Sequence, residues 1–373
     1  MYGYYSIPSF SDFNALPSRK LYAKLVNQLR ECQVVDQFKP KHWYIIGAGA
    51  IGCLWACALR EAGCEVSLLV KSKNNHDLAS CDQTLEYIPL FNAKGKQRFT
   101  VEILEQKQLC RKNRIISHLI IATKSQDALT ALNSILPQLS NSAKVLCLSN
   151  GLGMHQALVS ALQCHSESKS KSSNKQNARQ LLQGVSSDGA RIDQPFKVKH
   201  TGLGHTYIGH YEADVQNTAD SSTQSLKQFA SLELPNLFLS TSIVNNIEKR
   251  IWEKALVNCV INPLTAFYQC TNGELLINTE REKKVYMLCE ELAHIVKQTH
   301  CPFSTTTAQI INNTKKVASL TKKNTSSMLT DLRKGRALEL EHLNRYFIRR
   351  AEKYSVPCPI NLDLVRTLTK ASK

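Results

Sequence analysis

Apolar residues come in short runs through the first half of the chain and at helical spacing through the second. The run His42–Ile46 predicts a strand. Gly47-Ala48-Gly49-Ala50-Ile51-Gly52 then makes a turn, and the apolar run Cys53–Ala62, closed by Gly63, predicts a helix. Further strands are predicted over Glu65–Val70, Leu119–Thr123 and Val145–Leu148, and the glycine-bearing runs from Gly184 to Gly209 read as closing strands. From about Ile243 to the end the pattern is helical. Three stretches fall outside this scheme. Residues 1–40 carry Tyr2, Tyr4, Tyr5, Pro8 and Pro17, then one amphipathic helix from roughly Arg19 to Cys32; an appended element packing on the main body is expected. Residues 164–180 are rich in Ser, Lys and Asn and nearly free of apolar side chains, which predicts a mobile surface insertion. Residues 212–225 read as another polar loop.

A strand, a G-x-G-x-x-G turn and a helix in that order have a physical use. Glycines let the backbone turn tightly and approach a pyrophosphate, and the helix N-terminus attracts its charge. Gly47 to Gly52, with Ala48, Ala50 and Ile51 between, are therefore expected to bind a dinucleotide in a Rossmann domain. The end of the second strand bears on which dinucleotide. Lys71-Ser72-Lys73 stands there, with no acid until Asp77, and a basic group suits the 2′-phosphate of NADP. A solvated lysine at a strand end is the bland alternative. Lys124 and Asn150 follow two further strands at the edge where such sheets bind ligands, although Asn150-Gly151 is also ordinary turn chemistry.

The stretch Trp252–Leu264 is mostly apolar, yet Lys254, Asn258 and Asn262 recur every four residues along one helix face. Lysine is almost never buried without a partner, so one polar stripe on an apolar helix suggests a wet or ligand-filled cleft. A surface helix facing bulk water is the competing reading. Pro263 is expected to limit the helix, since it lacks a backbone donor. A later helix is expected to restart near Leu338 and run to about Lys353. Ser327 and Glu339 near it could merely cap a helix and favour its dipole.

Composition narrows the options. A chain of 373 residues with 43% hydrophobic and 21% charged residues suits two soluble globular domains. The net charge of +17 favours anionic partners. No zinc-finger spacing, RNP-like aromatic motif or basic-region helix is found, so no nucleic-acid partner is expected. The 13 cysteines are odd in number and never spaced C-x-x-C, which fits buried reduced thiols in the cytoplasm and no metal site. No apolar run reaches membrane-spanning length, and the N-terminus lacks a signal peptide's pattern.

With these residues in view, the chain resembles the ketopantoate reductase (2-dehydropantoate 2-reductase) family. The matching stretches are Gly47–Gly52, Asn150-Gly151-Leu152-Gly153, Lys254 through Leu275, and Ser326 through Glu339, in the right order. The resemblance implies an α/β N-terminal Rossmann domain followed by an all-α C-terminal domain. The expected divisions are an extension over 1–40, the Rossmann domain over 41–243 with its 164–180 insertion, and a helical substrate domain over 244–373. It implies NADPH-dependent reduction of 2-dehydropantoate to (R)-pantoate, on the route to pantothenate and coenzyme A, in a cytoplasmic monomer or homodimer. By position, Lys254 matches the catalytic lysine and Glu339 the family's glutamate, which takes the substrate hydroxyl. Asn150, Asn258, Asn262, Asn272 and Ser327 fall among its substrate-cleft positions, and Lys124 matches a cofactor-contacting lysine. Lys71 stands where arginine is common and Glu341 where aspartate is frequent, and typical members lack the extension and the insertion. Reduction of another branched 2-oxo acid, a catalytically lapsed NADP-binding protein and a basic nucleic-acid-binding protein are the alternatives.

Overall fold

A computed structural model describes residues 41–71, 83–91, 95–111, 113–167, 179–211, 234–235 and 237–372. The expected N-terminal helix, most of the 164–180 insertion, the 212–225 loop, Lys73 and Asp77 lie outside the described residues.

Twelve strands are described: β1 His42–Ile46, β2 Glu65–Val70, β3 Thr84–Ile88, β4 Gln97–Thr100, β5 Glu102–Glu105, β6 Ile116–Ile121, β7 Leu139–Cys147, β8 Gln180–Ser186, β9 Gly189–Gln194, β10 Lys197–Gly202, β11 Thr206–His210 and β12 Thr241–Ile243. Eight form one sheet in the order β12-β11-β8-β7-β6-β1-β2-β5. From β5 to β8 every neighbouring pair is parallel, with Tyr44 opposite both Ser67 and Leu119. The carboxyl-terminal parts of the central strands, such as Leu119–Ile121 and Val145–Cys147, are apolar and buried because helices cover both faces. Strand β11 then runs antiparallel to β8, and β12 pairs parallel with β11 at that edge. The first two strands have the predicted bounds, whereas β6 and β7 begin earlier than their apolar runs suggest.

Helix α1 (Ala50–Glu61) is buried from Gly52 to Leu59. A helix with no polar face needs cover on every side. The main sheet covers one side, and a second sheet in the order β4-β3-β10-β9 covers the other. That small sheet is not legible in the linear pattern, because it pairs β3 with β10 across more than a hundred residues, Glu86 opposite Lys197. Helices α2 (Gln106–Arg111), α3 (Ser125–Asn133) and α4 (His155–Glu167) follow in the chain. Ala128, Leu132 and Leu158, from α3 and α4, pack with Ile46 and Ile121 in a third layer.

The second half is helical: α5 (Ile247–Tyr268), α6 (Thr279–Gln298), α7 (Thr307–Leu320), α8 (Ser327–Arg333), α9 (Asn344–Lys353) and α10 (Pro359–Ala371). Helix α5 is central, with α6, α7, α8 and α10 packed around it. Its Trp252, Leu256 and Val260 share a core with Leu288, Leu292, Phe347 and Leu364.

Two expectations are corrected here. Helix α5 does not stop at Pro263 but continues to Tyr268. Proline removes the donor that would serve the carbonyl four residues back, that of Cys259. The buried side chain of Asn344 supplies a substitute, its Nδ2 donating to Cys259 O at 2.9 Å. The helix expected to restart near Leu338 starts instead at Asn344. Residues 336–343 stay out of a helix because their polar groups face the first half of the chain. Lys124 Nζ donates to Ala337 O, Leu152 N–H to His342 O, and Ser125 N–H to the Glu339 carboxylate.

The proline contact makes a prediction. Asn344→Leu orphans the Cys259 carbonyl in the core and should cost about 2 kcal/mol, the usual size for a buried group left unpaired. In a Pro263→Ala background the loss should shrink, because a backbone N–H returns at position 263. Urea denaturation of the two single variants and the double variant measures the coupling; simple additivity would show that Asn344 does not serve this carbonyl.

Candidate active site

Asn246 caps α5 by accepting from Lys249 N–H, and the helix then packs along β8 and β11. This lays half-buried Lys254 against the carboxyl end of the sheet. Its Nζ donates to Asn150 Oδ1 and to the backbone carbonyl of Ser186, both at 2.6 Å. Asn150 follows β7 and Ser186 ends β8, so a lysine from the helical half is received by two strand ends of the sheet. A pocket opens there, lined by Asn150, Gly151, Gln183, Gly184, Ile251 and Lys254 among others. Gln183 is 1% exposed, and its Oε1 has no hydrogen-bond partner among the described residues. A buried carbonyl oxygen without a donor is costly, so this one is available to a ligand.

Burial draws the Lys254 ammonium down to about 8, and the negative charges of Glu339 and Asp188 oppose the fall. Glu339 enters from the loop between α8 and α9, half-buried, with Ser125 N–H 3.3 Å from its Oε1 at the start of α3. Burial pushes its carboxyl above the usual range, against the pull of the Ser125 N–H, Lys124 and Lys254. Lys124 is itself engaged across the cleft, donating to Asp331 Oδ2 and to Ala337 O, each at 2.7 Å. Arg336 lies 2.6 Å from the other oxygen of buried Asp331.

The turn after β7 is built for close approach. Gly151 has φ +94°, and a Cβ on it would lie 2.6 Å from His342 O. Leu152 N–H donates to that same oxygen at 2.8 Å, and His342 Nδ1 donates back to Leu152 O at 2.9 Å. Glycine is required here on both counts.

The first glycine turn has the same logic. Gly47 has φ +107° and a Cβ would meet Ala122 O at 2.7 Å, while a Cβ on Gly52 would fall 2.0 Å from Gly47 O. Gly49 is open, with nothing nearer its Cβ position than 4.0 Å. Helix α1 has no side-chain cap and no acid in its first turn, so its leading amides carry an unopposed positive pole. These features fit a dinucleotide pyrophosphate across Gly47-Ala48-Gly49-Ala50-Ile51-Gly52. Lys71 stands exposed just beyond β2, with its Nζ 2.6 Å from Asp127 Oδ1 in the first turn of α3.

The remaining expected residues divide into two groups. Asn258 and Asn262 continue the stripe begun by Lys254 along α5, the first half-buried and the second buried. Asn272 is buried at a short 3₁₀ turn, where its Nδ2 donates to Thr321 Oγ1 and its N–H to Asn324 O. Its ties join the α5–α6 connection to the α7–α8 connection. Ser327 is exposed and does not cap α8. That task falls to Ser326, which accepts from Leu329 N–H and receives the Thr265 hydroxyl. Sequence reasoning missed Gln183, Ser186, Asp188 and Asp331. Asp188-Gly189 signals a turn, but nothing in a linear pattern says that the carboxylate points inward.

Both halves of the chain match known proteins. The family model "Ketopantoate reductase PanE/ApbA" matches residues 43–213, and its C-terminal companion matches residues 246–372. A 2-dehydropantoate 2-reductase from Archaeoglobus fulgidus is 28% identical over 327 residues, covering 86% of this chain and 96% of the relative. One from Yersinia pestis is 27% identical over 329 residues, covering 87% and 93%. A ternary structure of D-mandelate dehydrogenase with NADH and anilino(oxo)acetate shares the fold at TM-score 0.71 and 20% identity, over 89% of this chain and 98% of that one. A ketopantoate reductase from Ralstonia eutropha does so at 0.69 and 22%, with the same coverage. With matched segments in both halves, the chain belongs to the ketopantoate reductase family, a family of oxidoreductases.

Proposed function

We propose that this chain reduces 2-dehydropantoate to (R)-pantoate with NADPH, a step toward pantothenate and coenzyme A. The observation that carries the reading is the Lys254 ammonium, held between Asn150 and Ser186 in a pocket at the carboxyl edge of the sheet. NADPH, when bound, supplies the hydride for the C2 carbonyl. Lys254 then stabilises the charge growing on the carbonyl oxygen and delivers its proton. An amine near 8 is protonated at neutral pH yet gives up its proton more readily than an ordinary lysine. Asn258 and Asn262 offer neutral hydrogen bonds one and two turns along. Ser327, Glu339 and Asn150 complete the substrate side, with Glu339 taking the substrate hydroxyl, and Asn272 supports that side through its loop contacts.

The glycine turn supports the cofactor assignment, and Lys71 supports the choice of NADPH. The Lys71–Asp127 pair is exposed, and such pairs are weak, so the lysine can be shared with a 2′-phosphate. Lys124 reaches the cofactor side from its bridge to Asp331. We place the division between cofactor and substrate domains at residues 243 and 244, between β12 and α5. Ten of the described cysteines are free thiols, most of them buried, which suits a cytoplasmic protein.

NADPH oxidation with 2-dehydropantoate tests the reading directly. A panel of other branched 2-oxo acids is the control, and a kcat/KM about tenfold higher with another acid would move the substrate assignment. Lys254→Ala should lower kcat by roughly 10²–10⁴, with NADPH binding by fluorescence nearly unchanged. In the unmodified enzyme, kcat/KM for reduction should hold through neutral pH and fall as pH rises past about 8, because the proton donor is then lost. A profile flat to pH 10 would exclude Lys254 as the acid. Lys71→Ala should weaken NADPH by about 1–3 kcal/mol, the size of a charge-assisted hydrogen bond, and leave NADH nearly unchanged. Equal losses with both cofactors would place the phosphate elsewhere.

A further inference from the structure

Behind the carbonyl that receives Lys254 lies a second buried acid. Asp188 stands in the turn from β8 to β9, with its side chain 2% exposed. Ser186 Oγ donates to its Oδ2 at 2.9 Å, and Gly204 N–H donates to its Oδ1 at 3.0 Å. Thr206 Oγ1 lies 3.4 Å from Oδ2, and His200 Nε2 3.7 Å from Oδ1. His200 is held in turn by Tyr87, whose hydroxyl is 3.3 Å from its Nδ1. The turn has no slack. A Cβ on Gly204 would fall 2.2 Å from Asp188 N, and one on Gly189 would fall 2.9 Å from Gly202 N. Ser186 thus has two roles. Its hydroxyl is bound to Asp188, and its backbone carbonyl accepts from Lys254.

The charges around the pair are few. Lys254 faces Glu339 from the loop before α9 and Asp188 from the β8–β9 turn, with neutral Asn150 between strand and helix. Asp188 faces Lys254 on α5, His200 on β10 and His205 beside β11, and Arg250 on α5 acts on His205. Glu339 faces Lys124 and Asp331. The two carboxyls differ in kind. Burial raises Asp188, but the nearby His200 ring and the hydrogen bonds from Ser186 and Gly204 outweigh it and hold the group below the usual carboxylate range. Burial prevails at Glu339 and leaves it above that range. Asp188 is therefore the anion that persists as pH falls.

We propose that Asp188 is a positioning residue for Lys254: it fixes the Ser186 carbonyl that receives the ammonium and supplies a standing negative charge behind it. The catalytic half of this inference rests on the proposed role of Lys254 as proton donor. The sign of the effect follows from charge. Removing an anion near an ammonium disfavours the protonated form, so the amine should lose its proton at lower pH.

Asp188→Asn keeps the shape and removes the charge. Three measurements on the full chain separate the possibilities: the pH profile of kcat/KM for reduction, competitive acetylation of Lys254 with acetic anhydride across pH read by mass spectrometry, and NADPH binding by fluorescence. The acetylation midpoint of Lys254 and the alkaline limb should both move below about 8 by about half a unit or more, with NADPH binding retained. A merely structural role would lower activity without moving the midpoint. A folded variant whose Lys254 midpoint stays in place overturns the proposal. A midpoint that moves while the activity profile does not would uphold Asp188 as the residue that sets Lys254, and would remove Lys254 from proton donation. Should Asp188→Asn fail to fold, Ser186→Ala decides. It cuts the hydroxyl link and keeps the charge, so kcat should fall about threefold to tenfold with the midpoint unmoved, through misplacement of the amine. Unchanged kcat in that variant sinks the positioning role.

Discussion

A single ammonium on an apolar helix constrains how the two halves of this chain meet. Lys254 cannot keep its charge in a half-dry cleft without acceptors, since leaving a buried charge unpaired costs several kcal/mol. Its own helix offers none, because the interior carbonyls of α5 are committed to the ladder. The acceptors are Asn150 Oδ1 and Ser186 O, at the ends of two strands of the other half. Docking the helix there satisfies the lysine and forms the pocket by the same contact.

Other contacts hold the same junction. Lys124 bridges to Asp331 and Ala337, and the Asn150–Gly153 turn closes on His342 through two hydrogen bonds. The segment 336–343 contributes two carbonyls, a carboxylate and an imidazole to this boundary, all engaged by the first half of the chain. A helix through these residues would have consumed the carbonyls of Ala337 and His342 internally. Its irregular backbone is what lets it serve the site.

Helix α5 needs its own repair to present the stripe. Pro263 comes one residue after Asn262, and a break there would fray the stripe's last turn. The Asn344 amide takes over the carbonyl that the proline leaves. Asn344 also donates to Asn361 at the start of α10, whose amide donates to buried Glu291 on α6. A polar chain through the helical core thereby joins three helices to the one that carries the chemistry.

The linear sequence by itself determined the strand–turn–helix start, the bounds of β1 and β2, the helical second half and the stripe of Lys254, Asn258 and Asn262. Each of these is set by local rules: side-chain period, glycine conformation and chain spacing. Only the tertiary structure decided that α5 passes through Pro263, that residues 338–343 are not helical, and that Ser326 rather than Ser327 caps α8. The same holds for the inward-facing carboxylate of Asp188 and for the small sheet that covers α1. In most of these cases the deciding partner lies far along the chain, 85 residues between Cys259 and Asn344 and 190 between Leu152 and His342. Local preference is worth a fraction of a kcal/mol for most residues, below the roughly 1–3 that a buried polar group left unpaired costs, so the distant partner overrules the local rule; at Pro263, where the local penalty is itself about 3, the Asn344 amide removes the part due to the orphaned carbonyl.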